Sequence, residues 1–434
     1  MLELLSKYIK NGAKPKENHK IGAEYELISI TNDMTPVSFT DKPSILCVLK
    51  SLQSKYKLET GEIIDNKLFS LNAKVGSITI EPGCQIELSA TPRKTIHELH
   101  SDLQKYSNAL KEIGQNCNIK FLATSMNPYL HPDQIPLLPK KRYQIMDKLF
   151  RTTGTHGRYM MRASASIQVC IDYENEKDLM KKYVLSLFLS PFVKALFSSS
   201  PFCAGQLTPY LSMRSYIWNN MDPARSGLPR ELMKHDLTLE QYCQYILDIK
   251  PMFIETNGDY TPVTTKGFLD SYPEFTNQDE AFKKLMLHMS QTFIETRINQ
   301  YLEFRSPDAQ LPQFQMSVPA FYKGLFSSNS IMDEAFEIIK DFSVDDIQDL
   351  LLDIPTQAIH TKVKSSSVLD YVKDLLLLSH KGLKENSDSD EEKFLEPIMQ
   401  LVLEDSYCPS DYILRAYKKD YNEDLESMFD FFSI

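Results

Sequence analysis

Four segments of this 434-residue chain alternate apolar and polar residues with period two, and the polar residue is repeatedly glutamate. Successive side chains of a strand point to opposite faces of a sheet. In "IGAEYELI" (21–28) that rule groups Gly22, Glu24 and Glu26 against Ala23, Tyr25 and Leu27, with the two glutamate Cα atoms about 7 Å apart. "GSITIEPGCQIELSATP" (76–92) reads as two short strands broken at Pro82-Gly83, the first ending at Glu81 and the second turning Gln85, Glu87 and Ser89 one way. "RASASIQVCIDY" (162–173) alternates throughout and predicts one long strand with Arg162, Ser164, Ser166, Gln168, Cys170 and Asp172 together. "YLEFRSPD" (301–308) sets Tyr301, Glu303 and Arg305 against Leu302 and Phe304.

A half-solvated antiparallel sheet also alternates apolar and polar residues. Its wet face draws on Thr, Lys, Arg and Gln, however, whereas these faces repeat glutamate, a poor strand former. Glu24, Glu26, Glu81, Glu87 and Glu303 gathered on one concave face would repel one another unless something cationic sat among them. Oxygen donors without a Cys/His cluster point to a hard divalent ion, and Mg²⁺ works alongside phosphates more often than in an all-protein cage. Arg162 and Arg305, on the same faces, then suit phosphate oxygens as planar, permanently charged donors. Neither GxxxxGK[ST] nor a GxGxxG after a strand occurs, so a nucleotide would be held on the sheet itself.

Composition narrows the class. Hydrophobic residues at 42% and charged residues at 24% are ordinary for a folded, water-soluble chain. A net charge of −10 with no dense Lys/Arg block lacks the footprint of a nucleic-acid binder. Seven scattered cysteines, never spaced CxxC, fit neither a disulfide framework nor a zinc ribbon and predict a reducing, cytoplasmic setting. The N-terminus has no apolar core of a secretory signal, and "YVLSLFLSPFVKALF" (183–197) is too short and interrupted to cross a bilayer. We read that segment as a buried helix, kinked or broken at Pro191.

Residues 1–310 mix strands and helices, while 311–434 is mostly helical in pattern. A capping box at Thr95 and Glu98 opens a helix over 95–114 ending at Gly114. The pattern in 366–383 predicts another, with Gly382 as its C-cap. "KENSDSDEE" (384–392) reads as a solvated acidic loop. His97 and His100 are one helical turn apart, but no third ligand accompanies them, so they read as surface histidines.

These blocks, in this order, resemble the plant-type glutamate–cysteine ligases, carboxylate–amine ligases with a glutamine-synthetase-like catalytic domain. The resemblance runs from "IGAEYEL" through "SITIEPGCQIELSATP", "LLPKKRYQIM" (137–146), "TTGTHGRYMMRASASIQVCIDY" (152–173), "YLSMRSYIWNNMDPARSG" (210–227), "ETRINQYLEFRSPD" (295–308) and "PAFYKGL" (319–325) to "CPSDYILRAYKKDYNEDLESMF" (408–429). It implies an α+β fold: a curved antiparallel sheet forming a funnel, helices packed outside, and the helical 311–434 part packed on the same domain. It also implies a reaction. ATP converts the γ-carboxylate of L-glutamate to a γ-glutamyl phosphate, which the amine of L-cysteine attacks in the first step of glutathione synthesis.

Carried over by position, the resemblance assigns Mg²⁺ to Glu24, Glu26, Glu81, Glu87 and Glu303, with Gln168 bordering the metals. Arg305 is implied at the transferring phosphoryl group, and Arg162, Arg214, Arg225 and Arg297 at substrate carboxylates or nucleotide phosphates. Arg214 reads equally as a partner of a buried acid, and Trp218 as core packing. The chain departs from the family pattern at Cys84 and Cys170, and Cys170 reads either as a small apolar side chain packed at the wall or as a change that bears on amine specificity or nucleotide geometry. No cysteine pair matches the plant enzymes' regulatory disulfide, so that control is not carried over. The partners expected are small molecules, with neither nucleic acid nor membrane, in a monomer or a dimer. A ligase joining glutamate to another amine and an inactive nucleotide-binding relative are the rival readings.

Overall fold

The computed structural model describes residues 1–263, 267–272, 274–386 and 389–434. Its frame is a nine-stranded sheet with every pairing antiparallel. The strands are β1 (Ile21–Thr31), β2 (Glu59–Thr60), β3 (Ser70–Ala73), β4 (Gly76–Ile80), β5 (Ile86–Ala90), β6 (Ile119–Leu122), β7 (Ile167–Ile171), β8 (Thr296–Ile298) and β9 (Leu302–Phe304). Their order is β8-β9-β7-β1-β5-β4-β3-β2, and β6 pairs with the second half of β1. Thus the first half of β1 lies between β7 and β5, and from Ile28 onward it pairs with β6.

The helices used below are α1 (Leu2–Lys10), α2 (Ile45–Tyr56), α3 (Ile96–Cys117), α4 (Lys141–Leu149), α5 (Gly157–Ala163), α6 (Glu176–Leu196), α7 (Met213–Asn219), α8 (Ser317–Leu325) and α9 (Val368–Asn386). The apolar half of each alternating strand is where helices land. Ala23, Tyr25 and Leu27 are fully buried, and α8 packs over β1 and β7 while α3 lies on β5 and β6. Phe304 of β9 stacks on Tyr322 of α8, ring centres 4.2 Å apart. Burying such side chains contributes about 2 kcal/mol each before entropy is counted, which fixes the strand register and turns the glutamate face away from α3 and α8. The chain end returns to the sheet, where the Ile434 amide donates to the Phe121 carbonyl at 3.1 Å.

Several sequence expectations change. The long strand expected over 162–173 is shorter: α5 runs to Ala163 and β7 begins only at Ile167. The stretch "ASAS" is small and polar enough to follow either element, so its alternation carried no burial signal. Gly83 must be glycine because a Cβ there would collide with the Arg162 carbonyl at the end of α5. Helix α3 carries the expected capping box but runs past Gly114 to a left-handed Asn118. Helix α6 continues through Pro191, buried on all sides from Lys182 to Leu196.

Gly382 is no cap. It lies inside α9 where that helix crosses α8, and a Cβ on it would strike the Gly324 carbonyl. In the acidic 384–392 segment, Ser387 and Asp388 lie outside the described residues, but Glu391 is fully buried. Its carboxylate pairs with Lys323 at 2.6 Å and accepts the Ile96 amide at 2.7 Å, so it serves the N-terminus of α3 rather than solvent. His97 and His100 both pack edge-on against Phe394, half-buried rather than free on the surface.

Candidate active site

The glutamate face of the sheet is ruled in rows by its register. One row runs Arg297, Glu303, Cys170, Gly22 across β8, β9, β7 and β1. The next runs Gln168, Glu24, Ser89, Ser77 across β7, β1, β5 and β4, and the next Glu26, Glu87, Thr79. Antiparallel pairing therefore stacks the glutamates that period two had placed on one side of each strand. Glu24, Glu26, Glu81 and Glu87 line one cleft of about 270 Å³. Glu81 stands one residue past β4, at the turn where Cys84 takes a left-handed conformation.

Burial raises all four carboxylates. It pushes Glu24 up to about 8, with Glu303 adding to the rise against Arg305 and Arg297. Glu26 is pushed up to about 7, chiefly by burial and then by Glu81. Glu81 is raised by burial despite Arg142, Lys140 and Arg305 nearby. Glu87 is held well above the usual range by burial and by Glu24, Glu81 and Glu26. The four thus form a mutually repelling set in want of positive charge.

The cleft is also lined by arginine: Arg142, Arg214, Arg297 and Arg305. Arg305 donates to the Gln168 side-chain oxygen at 2.5 Å and to Glu303, while its Nε has no partner. Gln168 in turn donates to Glu26 at 3.1 Å, and the Ser166 amide donates to the other Glu26 oxygen at 2.7 Å. Acid and base are therefore tied into one chain of hydrogen bonds from Glu26 to Arg305. Glu303 differs from the other four glutamates. Arg297 grips it through two nitrogens at 2.8 and 3.0 Å, Asn299 donates at 3.0 Å, and it does not line the cleft. Burial acts to raise it, but Arg297 and Arg305 outweigh that and hold it below the usual carboxylate range.

Three of the sequence-selected arginines need restating. Arg162 sits in the last turn of α5, buried, and donates to Asp147 at 2.5 Å and to the Ile135 carbonyl at 3.1 Å. It is a brace between α5 and α4 and does not line the cleft. Arg225 likewise turns away, donating to Asp222 at 2.6 Å and to the Lys250 carbonyl. Arg214, on α7, does both things that its sequence context allowed: it faces the cleft, and it donates to the Ser306 and Arg305 carbonyls beside Asp308. Its guanidinium lies over the Trp218 ring at 5.5 Å. Trp218 is thus part of the cleft wall, with its indole N–H unpartnered. Cys170 is half-buried between Gly22 and Glu303 in its row, outside the cleft lining.

The sequence did not single out Arg142. It lies in the first turn of α4, lines the cleft toward Glu81 and has an unpartnered Nε. The signal available was "KKR" at 140–142, three cations together in an acidic chain. A third wall, of Met146, Met160, Met252, Phe253 and Phe293, is apolar. These residues come from separate helices, short strands and a loop, so no local pattern marks them as a surface. A flat apolar wall beside acidic and basic ones suits a ligand with a ring at one end and several anionic groups at the other.

Among the described residues, no three His, Cys, Asp or Glu side chains converge closely enough to hold a metal ion by themselves. The donor set nevertheless suits Mg²⁺, which commonly takes one or two carboxylates and completes its shell with phosphate oxygens and water. Four carboxylates raised chiefly by burial, lining one cleft, provide such donors.

Comparison with known proteins places this architecture. The model of glutamate–cysteine ligase family 2 matches residues 20–430. Glutamate–cysteine ligase B, chloroplastic, of Oryza sativa subsp. japonica is 28% identical over 432 residues, covering 98% of this chain and 86% of that protein. The chloroplastic glutamate–cysteine ligase of Arabidopsis thaliana is 27% identical over 433 residues, covering 99% and 82%. Among solved structures, a glutamate–cysteine ligase from Francisella tularensis in complex with AMP shares the fold, with a TM-score of 0.58 and 16% identity over 93% of this chain and 85% of that one. With a match running from the first strand of the sheet almost to the chain end, this chain belongs to glutamate–cysteine ligase family 2.

Proposed function

We propose that the chain is an ATP-dependent ligase that joins the γ-carboxylate of L-glutamate to the amine of L-cysteine through a γ-glutamyl phosphate. The observation that carries this reading is the cleft itself, which four glutamates and four arginines line beside an apolar wall. Its contents match the needs of the reaction. Two anions, a carboxylate and a triphosphate, have to approach, so their charge must be neutralised and their reacting atoms aligned.

Glu24, Glu26, Glu81 and Glu87 are the residues that would hold Mg²⁺, which when bound neutralises triphosphate charge and orients its oxygens. Arg305 and Arg142, each with an uncommitted Nε, stabilise the charge on the transferring phosphoryl group. Glu303 orders Arg297 and Arg305 from behind. Met146, Phe253 and their neighbours offer the surface for the base and keep water from the acyl phosphate. The amine, entering uncharged, attacks the acyl carbon, phosphate departs with the bridging oxygen, and the nitrogen gives up one proton as the amide forms. No helix among the described residues is long and apolar enough to cross a membrane, and the cytoplasmic setting we propose rests on the pattern of the seven cysteines, scattered and never spaced CxxC.

The reading is tested by product mass. Purified protein supplied with Mg-ATP, glutamate and a panel of amines should yield γ-glutamylcysteine, with cysteine preferred. A product with another amine and none with cysteine would overturn the amine assignment and keep the ligase.

A further inference from the structure

Cys47 on α2 and Cys117 at the end of α3 come from helices that pack together, and their sulfurs are 2.7 Å apart. That is a short movement from the roughly 2.05 Å of a disulfide bond. A surface cavity of about 600 Å³ opens over Cys47. Its walls carry Lys42, Lys50 and Lys55 with the hydroxyls of Ser44, Ser51 and Ser54, and no carboxylate is among its described lining residues. Lys55 is committed to Glu112, whereas Lys42 and Lys50 enter no ion pair among the described residues. In a chain of net charge −10 this is a local basic pocket with a half-buried thiol in its wall.

We propose that Cys47 and Cys117 form an exchangeable dithiol, and that the lysine-lined pocket above it admits a small anionic disulfide as its oxidant. Cys47 faces the pocket and reacts first. It gives its proton to solvent, and its sulfur attacks one sulfur of the incoming disulfide. The incoming S–S bond breaks, one thiolate leaves, and a mixed disulfide forms on Cys47. Cys117 is the resolving thiol. Burial, then its neighbour Cys47, push it up to about 12, while Ser51 and Lys42 favour its thiolate. Losing its proton to solvent, it attacks the Cys47 sulfur, displaces the second thiolate and closes the internal bond. Two protein thiols give up two electrons and two protons, and the oxidant leaves as two thiols. The bond staples a loop with 70 residues of sequence separation that contains Glu81 and Glu87, so oxidation constrains the segment carrying two of the four cleft carboxylates. The inference stands whatever amine the cleft uses.

The test is incubation of the full, reduced chain with glutathione disulfide and, in parallel, with cystamine, a cationic disulfide. Thiol titration, intact mass and peptide mapping are the readouts. The expected result is loss of two of the seven thiols, a cross-linked peptide joining Cys47 to Cys117, and a thermal midpoint several degrees higher that dithiothreitol reverses. Glutathione disulfide should react about tenfold faster than cystamine at low salt, and replacing Lys42 and Lys50 by alanine should erase that preference. Cys117→Ser should stop at the mixed disulfide on Cys47. Seven thiols remaining, a cross-link between other cysteines, or cystamine reacting as fast would each overturn the proposal.

Discussion

Glu26 cannot be replaced by its amide without conflict. One of its oxygens accepts the Ser166 amide and the other accepts the Gln168 side chain. Gln168 cannot turn over to compensate, because its own oxygen accepts Arg305. Glu26→Gln therefore sets an NH₂ group against a donor and removes a charge from the cleft. We expect kcat to fall by about 10² or more and the Mg-ATP requirement to weaken, with the thermal midpoint little changed, in steady-state assays paired with calorimetry. Undiminished activity would remove Glu26 from the site. His288 tests the interior rather than the cleft. Its Nε2–H donates to the Ile246 carbonyl at 2.7 Å, and burial, chiefly, holds it down to about 4 from 6.5. The unfolded chain takes up a proton below pH 6.5 that the folded chain refuses until about 4, so stability is lost as pH falls through that window. Between pH 7 and pH 5 the loss is about 2 kcal/mol, obtained from that shift by linkage. Urea unfolding of His288→Gln should lack that loss, and equal slopes in both proteins would refute it. The glutamates were legible because period two is a local property. Arg162 was misplaced because its neighbours are small serines and alanines, and Arg142 was missed because it approaches the sheet from a separate helix.

At the scale of elements, α8 and α9 cross at two glycines, each with the other helix against its Cα. A Cβ on Gly324 would meet Ser379, and one on Gly382 the Gly324 carbonyl. Alanine is the better helix former by about 1 kcal/mol, yet Gly382→Ala should destabilise by about 1–3 kcal/mol through overpacking. A thermal midpoint equal to or above wild type would show that the helices can move apart. The sequence signalled the helix but misread its glycine as a stop, since a close crossing and a C-cap draw on the same missing Cβ. The acidic run near 390 was misread for a related reason. Charge density predicts solvent exposure on average, and only the fold shows that Lys323 and the N-terminus of α3 converge on Glu391. The capping box at Thr95 was read correctly because all of its atoms lie within four residues.

For the whole molecule, the strands and their polar faces were legible, while their neighbours in the sheet were not. Glu26 and Glu87 stand side by side across β1 and β5, and β9 reaches the same face from some 280 residues away by joining β7. Only the ordered blocks shared with a family pointed to that assembly, and the family match over residues 20–430 agrees with them. In the segment after 310, helix α8 packs over β1 and β7. Its loss should expose Tyr25, Leu27 and Phe304, and a chain ending at 310 should be insoluble or bind a hydrophobic dye strongly. In the proposed reaction, glutamate's own γ-carboxylate oxygen attacks the terminal phosphorus of ATP. The protein should therefore be given Mg-ATP, cysteine and glutamate labelled with ¹⁸O in the γ-carboxylate, and the released phosphate analysed by mass. Each phosphate should carry one ¹⁸O and form in step with γ-glutamylcysteine. Unlabelled phosphate, or none above the glutamate-free control, would contradict it.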